Sequence, residues 1–348
     1  GLHRSLAEAG LDEVLSYPFI SDSWDRQGLS ETDPRRVGLR LRNPLADDAP
    51  LLRTSILDSL LDVAGRNVAR GIERVAIFES GMVSRPDGSV PAPIIGVEAR
   101  PTDEEIAALQ AGTPNQPHHL GIVLAGRAGN SPWLSGKSTF EWSDAVECVR
   151  RLASTLGVRV EVTRAWEAEP SPIKGAPMPP AATDPAEVAP WHPGRVARIF
   201  IRAGRALRTI ALAGELHPGV CETFGLPARS CAAEIDLDAL VASIDQAPIQ
   251  VRAISTYPLA KEDMAFVVPN TIQVARVEQV IRQGAGQVCE DVTLFDIYEG
   301  DQVPEGSRSL AFSLRLRADH TLTSEEITAV RSQVIDKARK VLGAELRS

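Results

Sequence analysis

The chain has 348 residues, 43% of them apolar, and a formal net charge of -9. That length accommodates about two domains with cores of their own, and no run approaches the roughly 18 consecutive apolar residues of a membrane span. The net charge argues against general nucleic-acid binding, which needs clustered Lys and Arg, and neither a C-x-x-C pair nor a charged-then-apolar leader appears.

Other compositional features narrow the class further. The four cysteines, Cys148, Cys221, Cys231 and Cys289, fall in segments that read as helix or strand, which fits a soluble protein of the reducing cytosol. A start at Gly1 rather than Met points to a piece of a longer chain. The acidity is uneven: residues 251–348 carry 12 Lys+Arg against 14 Asp+Glu, and residues 1–250 the other 25 against 32. Only five of the basic residues are Lys, an Arg excess that reads first as coding bias and second as an RNA signature.

In chain order, Leu6 to Gly10 reads as a helix end closed by Gly, and Glu13 to Ile20 as a strand interrupted by Pro18. Asp47-Asp48-Ala49-Pro50 supplies cap and first-turn chemistry for a helix running to about Arg70, with Leu52, Ile56, Leu57, Leu60, Leu61 and Ala64 on one face. Val75 to Val83 is a strand with an embedded Glu79, followed by a turn at Pro86 to Gly88. A short polar helix and loop fill 101–117, Leu120 to Gly126 is an apolar strand, and Asp144 to Leu156 is a helix. The proline-rich stretch Pro170 to Pro193 predicts a long irregular loop. A hairpin around Ala203-Gly204-Arg205 and a closing helix from Leu237 to Ile244 follow, and Gln246-Ala247-Pro248 marks a domain boundary, giving domains 1–247 and 248–348.

The last hundred residues alternate cleanly. Strand Met264 to Val268, helix Val274 to Gly284, strands Val288 to Tyr298 and Ser309 to Ala318, helix Ser324 to Leu342 and strand Ala344 to Leu346 make a β-α-β-β-α-β unit of the ferredoxin-like kind. Thr323-Ser324-Glu325-Glu326 is a capping box, and Gly343 ends its helix. In the third strand Leu310, Phe312, Leu314 and Leu316 alternate with Ser309, Ala311, Ser313, Arg315 and Arg317, so one set packs on helices and the other lines an open face. That face is either an RNA surface or a solvated one. Arg308, Ser313, Arg315 and Arg317 are the candidate contacts.

Elsewhere most catalytic templates fail. Gly136-Lys137-Ser138 has the tail of a phosphate loop, but Ser131 stands where the first Gly is required and Trp133-Leu134 would fill the cradle. Gly284-Ala285-Gly286 ends a helix and lacks the third Gly of a dinucleotide fingerprint. His118-His119, His192 and His217 have no spacing that enforces metal ligation, and loop histidines beside Pro usually bond backbone. Glu79, Glu141 and Glu215 are either buried acids or solvated and capping carboxylates.

Six segments in order, Tyr257-Pro258, Glu262 to Val268, Val292 to Gly300, Gly306 to Ala311, Thr321 to Glu326 and Gly343 to Arg347, resemble the ferredoxin-fold anticodon-binding domain that ends the bacterial phenylalanyl-tRNA synthetase beta subunit. Upstream, Leu41 to Leu45 with Leu52 to Leu57, Ile77 to Gly81, Trp191 to Arg195 and Gly214 to Pro218 resemble the catalytic-like domain of the same family. The resemblance implies an α+β chain: a class II synthetase-like antiparallel sheet with flanking helices, then the anticodon-binding fold. It departs from the family at Glu262-Asp263, where Arg-Asp is usual, and the family's editing, magnesium-site and N-terminal tRNA-binding modules are absent from these residues.

Active class II members grip the ATP phosphates with two Arg, but Ile77-Phe78-Glu79-Ser80 and Gly214-Glu215-Leu216-His217 have none at the matching places. Without such cations the transition-state charge loses several kcal/mol of stabilisation. The resemblance therefore implies a cytoplasmic, non-catalytic chain that binds no cofactor itself. ATP and magnesium would serve the whole enzyme, whose alpha subunit makes the adenylate in an assembly of two alpha and two beta subunits acting on tRNA(Phe). A free-standing RNA-binding protein, and a divergent ATP-dependent enzyme built around Glu79, His192 and His217, are the alternatives.

Overall fold

The computed structural model describes residues 1–85, 93–96, 98–129, 138–165, 182, 184–204, 206–244 and 255–347. The chain divides into two compact units, Gly1–Ala247 and Pro248–Ser348.

Unit one opens with helix α1 (Leu2–Glu8) and two short strands, β1 (Asp12–Glu13) and β2 (Phe19–Ile20). The sequence predicts one strand here; Pro18 breaks it, and the halves join different sheets. β2 pairs with β3 (Leu51–Leu52). That pairing also corrects the next helix: α2 spans Leu57–Ala69 and does not begin at the Asp-Asp-Ala-Pro signal. Leu51 and Leu52 are drawn into extended pairing and Arg53 into a buried ion pair, so the turn before Ile56 cannot be helical.

Next come β4 (Arg74–Met82), α3 (Asp103–Ala111), β5 (His118–Gly126), α4 (Trp142–Thr155) and β6 (Glu161–Arg164). The capping boxes at Thr102 and Glu141 set the starts of α3 and α4. β7 (Trp191–Ala203) and β8 (Ala206–Leu216) form the hairpin, then α5 (Pro218–Phe224), β9 (Cys231–Asp236) and α6 (Leu237–Ala242) close the unit. Trp191 to Pro193 belong to β7, so the proline-rich loop ends earlier than its composition predicts. Most of that loop, the Pro86–Gly88 turn, the Gly136–Lys137 pair, Arg205 and the Gln246–Pro248 boundary lie outside the described residues.

These strands build a seven-stranded sheet in the order β1-β4-β5-β9-β8-β7-β6. Five of its six pairings are antiparallel; β1 and β4 run parallel. One face packs Phe78, Leu120, Ile122 and Ile199 against Val149 and Leu152 of α4 and Leu240 of α6. The other packs Ile77 and Val123 against Ile56, Leu57, Leu60 and Leu61 of α2 and its N-terminal flank.

Close approach explains two glycines. A Cβ on Gly121 would lie 2.6 Å from Ile56 Cγ2, and one on Gly65 would lie 2.3 Å from the Phe224 carbonyl oxygen. Helix propensity favours Gly65→Ala by about 1 kcal/mol. Here the sign reverses, because the α2–α5 backbones must separate: Gly65→Ala is expected to destabilise unit one by about 1–3 kcal/mol in urea unfolding.

Unit two contains β10 (Ala260–Pro269), α7 (Val274–Ala285), β11 (Cys289–Tyr298), β12 (Ser307–Leu316), α8 (Ser324–Leu342) and β13 (Glu345–Leu346). The sheet order is β11-β12-β10-β13, all antiparallel. Met264, Phe266, Phe312 and Leu314 face Val277, Ile281, Val334 and Ala338 of the two helices. The Thr323 capping box starts α8, and Gly343, in left-handed conformation, ends it. Among the described residues no helix is long and apolar enough to cross a membrane.

Candidate nucleic-acid interface

The outer face of the unit-two sheet follows from β12's register. Arg315 lies between Lys261 and Asp291, Ser313 between Asp263 and Thr293, Ala311 between Ala265 and Asp296, and Ser309 between Val267 and Tyr298. Arg315 is the most open cation of the strand, its side chain 46% exposed, and its Nε lies 3.6 Å from Glu290. Arg317 is different. Its guanidinium donates to the Tyr257 carbonyl at 3.0 Å, approaches Glu290 at 3.4 Å and is 24% exposed.

Two of the sequence expectations change. Arg308 pairs with Val268 in the ladder, on the alternation that faces the helices, and donates to the Ile272 carbonyl at 3.0 Å. It is no part of the outer face. Ser309 is on that face yet buried, beside Tyr298, over whose ring the Arg347 guanidinium sits at 4.7 Å. Among the described residues laddered across this face Tyr298 is the one aromatic, and Arg347 covers it. The laddered positions of the face are thus mostly charged and polar, while Phe295, 57% exposed in the β11 bulge between Leu294 and Asp296, lies outside the register.

In unit one the polar side chains on the α2 side of the sheet form a bonded cluster, in which the buried His119 Nε2 is left without a hydrogen-bond partner. Arg53 donates to Glu79 at 2.7 Å, to Ser59 at 2.9 Å and to the Met82 carbonyl at 3.2 Å. Ser16 closes the second Glu79 oxygen at 2.5 Å. Gly81 makes room, since a Cβ there would meet the guanidinium. Beside them Glu234 accepts from Ser55 at 2.5 Å, from the Ile56 amide at 3.2 Å and from His119 Nδ1 at 2.7 Å. Glu141, by contrast, caps α4. Sequence reasoning singled out Glu79 but missed Arg53 as its partner; the pairing reaches from the end of β3 to β4 across the whole of α2, and nothing local announces it.

The cluster also fixes a pH response. Burial alone would raise the Glu234 pKa, but the His119, Ser55 and Ile56 donors pull it from 4.5 to about 2. Asp58, next to it in the network, goes the other way: burial, opposed by the Gln27 and Ser55 donors, raises it to about 6. Glu234 therefore contributes stability that is complete above its ordinary value and lost as pH falls toward about 2; Asp58's contribution is complete below its ordinary value and lost as pH rises through about 6. Urea unfolding should show Glu234→Gln to be less stable than the parent at about pH 6 but to lose less between there and about pH 3.5.

A seven-stranded sheet unit followed by a ferredoxin-like four-stranded unit with a charged outer face makes a mixed α/β protein of two domains. Residues 1–237 match the family model described as the phenylalanyl tRNA synthetase beta chain CLM domain, and residues 255–347 match the ferredoxin-fold anticodon binding domain. The chain belongs to the phenylalanyl-tRNA synthetase beta chain family. It is 43% identical to a phenylalanine--tRNA ligase beta subunit of Thermobifida fusca, over 99% of this chain and 39% of that protein. Beta subunits from Bifidobacterium longum and Streptomyces avermitilis are each 40% identical over 99% of the chain and 37% and 39% of their own lengths. The chain thus spans about two-fifths of these relatives.

Proposed function

We propose that the chain works as the C-terminal part of the beta subunit of a cytoplasmic phenylalanine--tRNA ligase, in which the alpha subunit performs the chemistry. Domain 1–247 is the non-catalytic, class II-like body that holds the alpha subunit, and domain 248–348 binds the anticodon stem of tRNA(Phe). The assembly has two alpha and two beta subunits, and ATP and magnesium serve the alpha subunit rather than these residues.

One observation carries the division of labour. On the α2 side of the unit-one sheet Arg53 and His119 are each held by a carboxylate, Glu79 and Glu234. A phosphate placed there would have to compete with those carboxylates for these donors. Neither the free-standing RNA-binding reading nor the divergent-enzyme reading accounts for both domains matching one family.

Light scattering of the chain mixed with purified alpha subunit should show a stable complex. ATP–pyrophosphate exchange should appear with alpha subunit present and be at background for the chain alone. No complex, or exchange by the chain alone, would overturn the proposal.

A further inference from the structure

Two His-Pro-Gly triplets, His192-Pro193-Gly194 and His217-Pro218-Gly219, are brought side by side by the β7–β8 ladder. Trp191 pairs with Leu216 and Val196 with Gly214, so His192 to Arg195 bulge out opposite the single residue Glu215. Gly214 permits this, because a Cβ there would lie 2.2 Å from the Arg195 carbonyl oxygen. The two imidazoles come within 6.3 Å, ring planes 22° apart.

Their bonding fixes what they can offer. Gly194 N–H donates to His192 Nδ1 at 3.1 Å, and Gly219 N–H to His217 Nδ1 at 3.2 Å. With Nδ1 accepting, a neutral ring carries its hydrogen on Nε2, so both rings present N–H donors instead of metal-ligating lone pairs.

Opposite the bulge and two residues before His217 is Glu215, buried, its two oxygens taken by Arg195 at 2.6 Å and Arg229 at 3.3 Å. Both arginines are about half exposed. Arg229 stands at φ 65°, a left-handed conformation that costs a non-Gly residue energy and recurs at functional sites. Two guanidinium groups share one carboxylate, so the cluster is positive in a chain of net charge -9.

We propose that this twin His-Pro-Gly cluster is an anion site that takes a phosphate group. Each guanidinium spends one nitrogen on Glu215, which tethers it; their remaining N–H groups and the two Nε2–H donors come from four separate side chains. A tetrahedral anion with several acceptor oxygens uses such donors better than a planar carboxylate. The site is on unit one and does not depend on the outer face of the unit-two sheet or on the division of labour proposed above.

The test is NMR of the whole chain labelled with 15N-histidine, following the Nε2 signals assigned through His192→Phe and His217→Phe. At constant pH, inorganic phosphate should shift both signals saturably and acetate should need at least about tenfold higher concentration. Arg229→Gln, which keeps a hydrogen-bonding partner for Glu215, should weaken phosphate binding about tenfold. A 12-nucleotide RNA saturating the same shifts at about tenfold lower concentration than inorganic phosphate identifies a nucleic-acid backbone as the source, and equal or weaker action identifies a small phosphate. Absence of a saturable phosphate shift in the unmodified chain overturns the site. Acetate acting as strongly as phosphate overturns it in favour of a carboxylate partner.

Discussion

Replacing Arg53 with Leu is expected to destabilise unit one by about 3–5 kcal/mol, because it leaves the Glu79 charge buried without its cation. The pair is nearly closed to water, Arg53 4% and Glu79 1% exposed. Tryptophan fluorescence reads this unit alone, since all five tryptophans lie within Gly1–Ala247. Arg53→Lys should recover little. An ammonium cannot span Glu79, Ser59 and the Met82 carbonyl with the geometry the guanidinium uses. The double change Arg53→Leu/Glu79→Leu should regain most of the stability, since two apolar side chains leave no unpaired charge. A double variant as unstable as the sum of its singles would show that the two residues act independently. A single Arg53→Leu within about 1 kcal/mol of the parent would mean that water reaches Glu79.

Why this pair escaped the sequence reading shows where such readings stop. Periodicity found β4, β5, α4 and every element of unit two, because each buries a face and its residues repeat at the period of that face. A cap placed α8 for a similarly local reason: the side chain and the amide it satisfies are three residues apart. The start of α2 failed because its strongest local signal, Asp47 to Pro50, competes with long-range pairing of Leu51-Leu52 and with the demand of Glu79 for a cation. Arg308 failed for another reason. Residue type nominated it, whereas the alternation of its own strand already assigned it to the helix side. Ser313 and Arg315 combine the residue type with the outward register, and Arg317, one residue past β12, has the type while its guanidinium is held by the Tyr257 carbonyl.

Arg315→Ala/Arg317→Ala is expected to weaken tRNA(Phe) binding by the whole beta subunit by about tenfold or more, and to reduce the slope of log affinity against log salt by about one for each phosphate no longer neutralised. The singles should not be equivalent. Arg317 holds the Tyr257 carbonyl and lies against Glu290, so Arg317→Ala should cost unit-two stability, about 1–2 kcal/mol for the charge-assisted bond it removes, as well as affinity. Among the described residues Arg315 is held by a long approach to Glu290, so Arg315→Ala should lower affinity with little change in stability. Glu290 supplies the opposite sign. It lies against both guanidinium groups, and Glu290→Gln, which removes its charge, should raise affinity by about two- to fivefold, an effect that fades as salt rises. Anisotropy of labelled tRNA(Phe) across a salt series measures the affinities and the slope, and urea unfolding the stabilities. If the double alanine variant binds as the parent does and Glu290→Gln changes nothing, the anticodon stem rests on some other surface of unit two, and the charges of this face are there to solvate it.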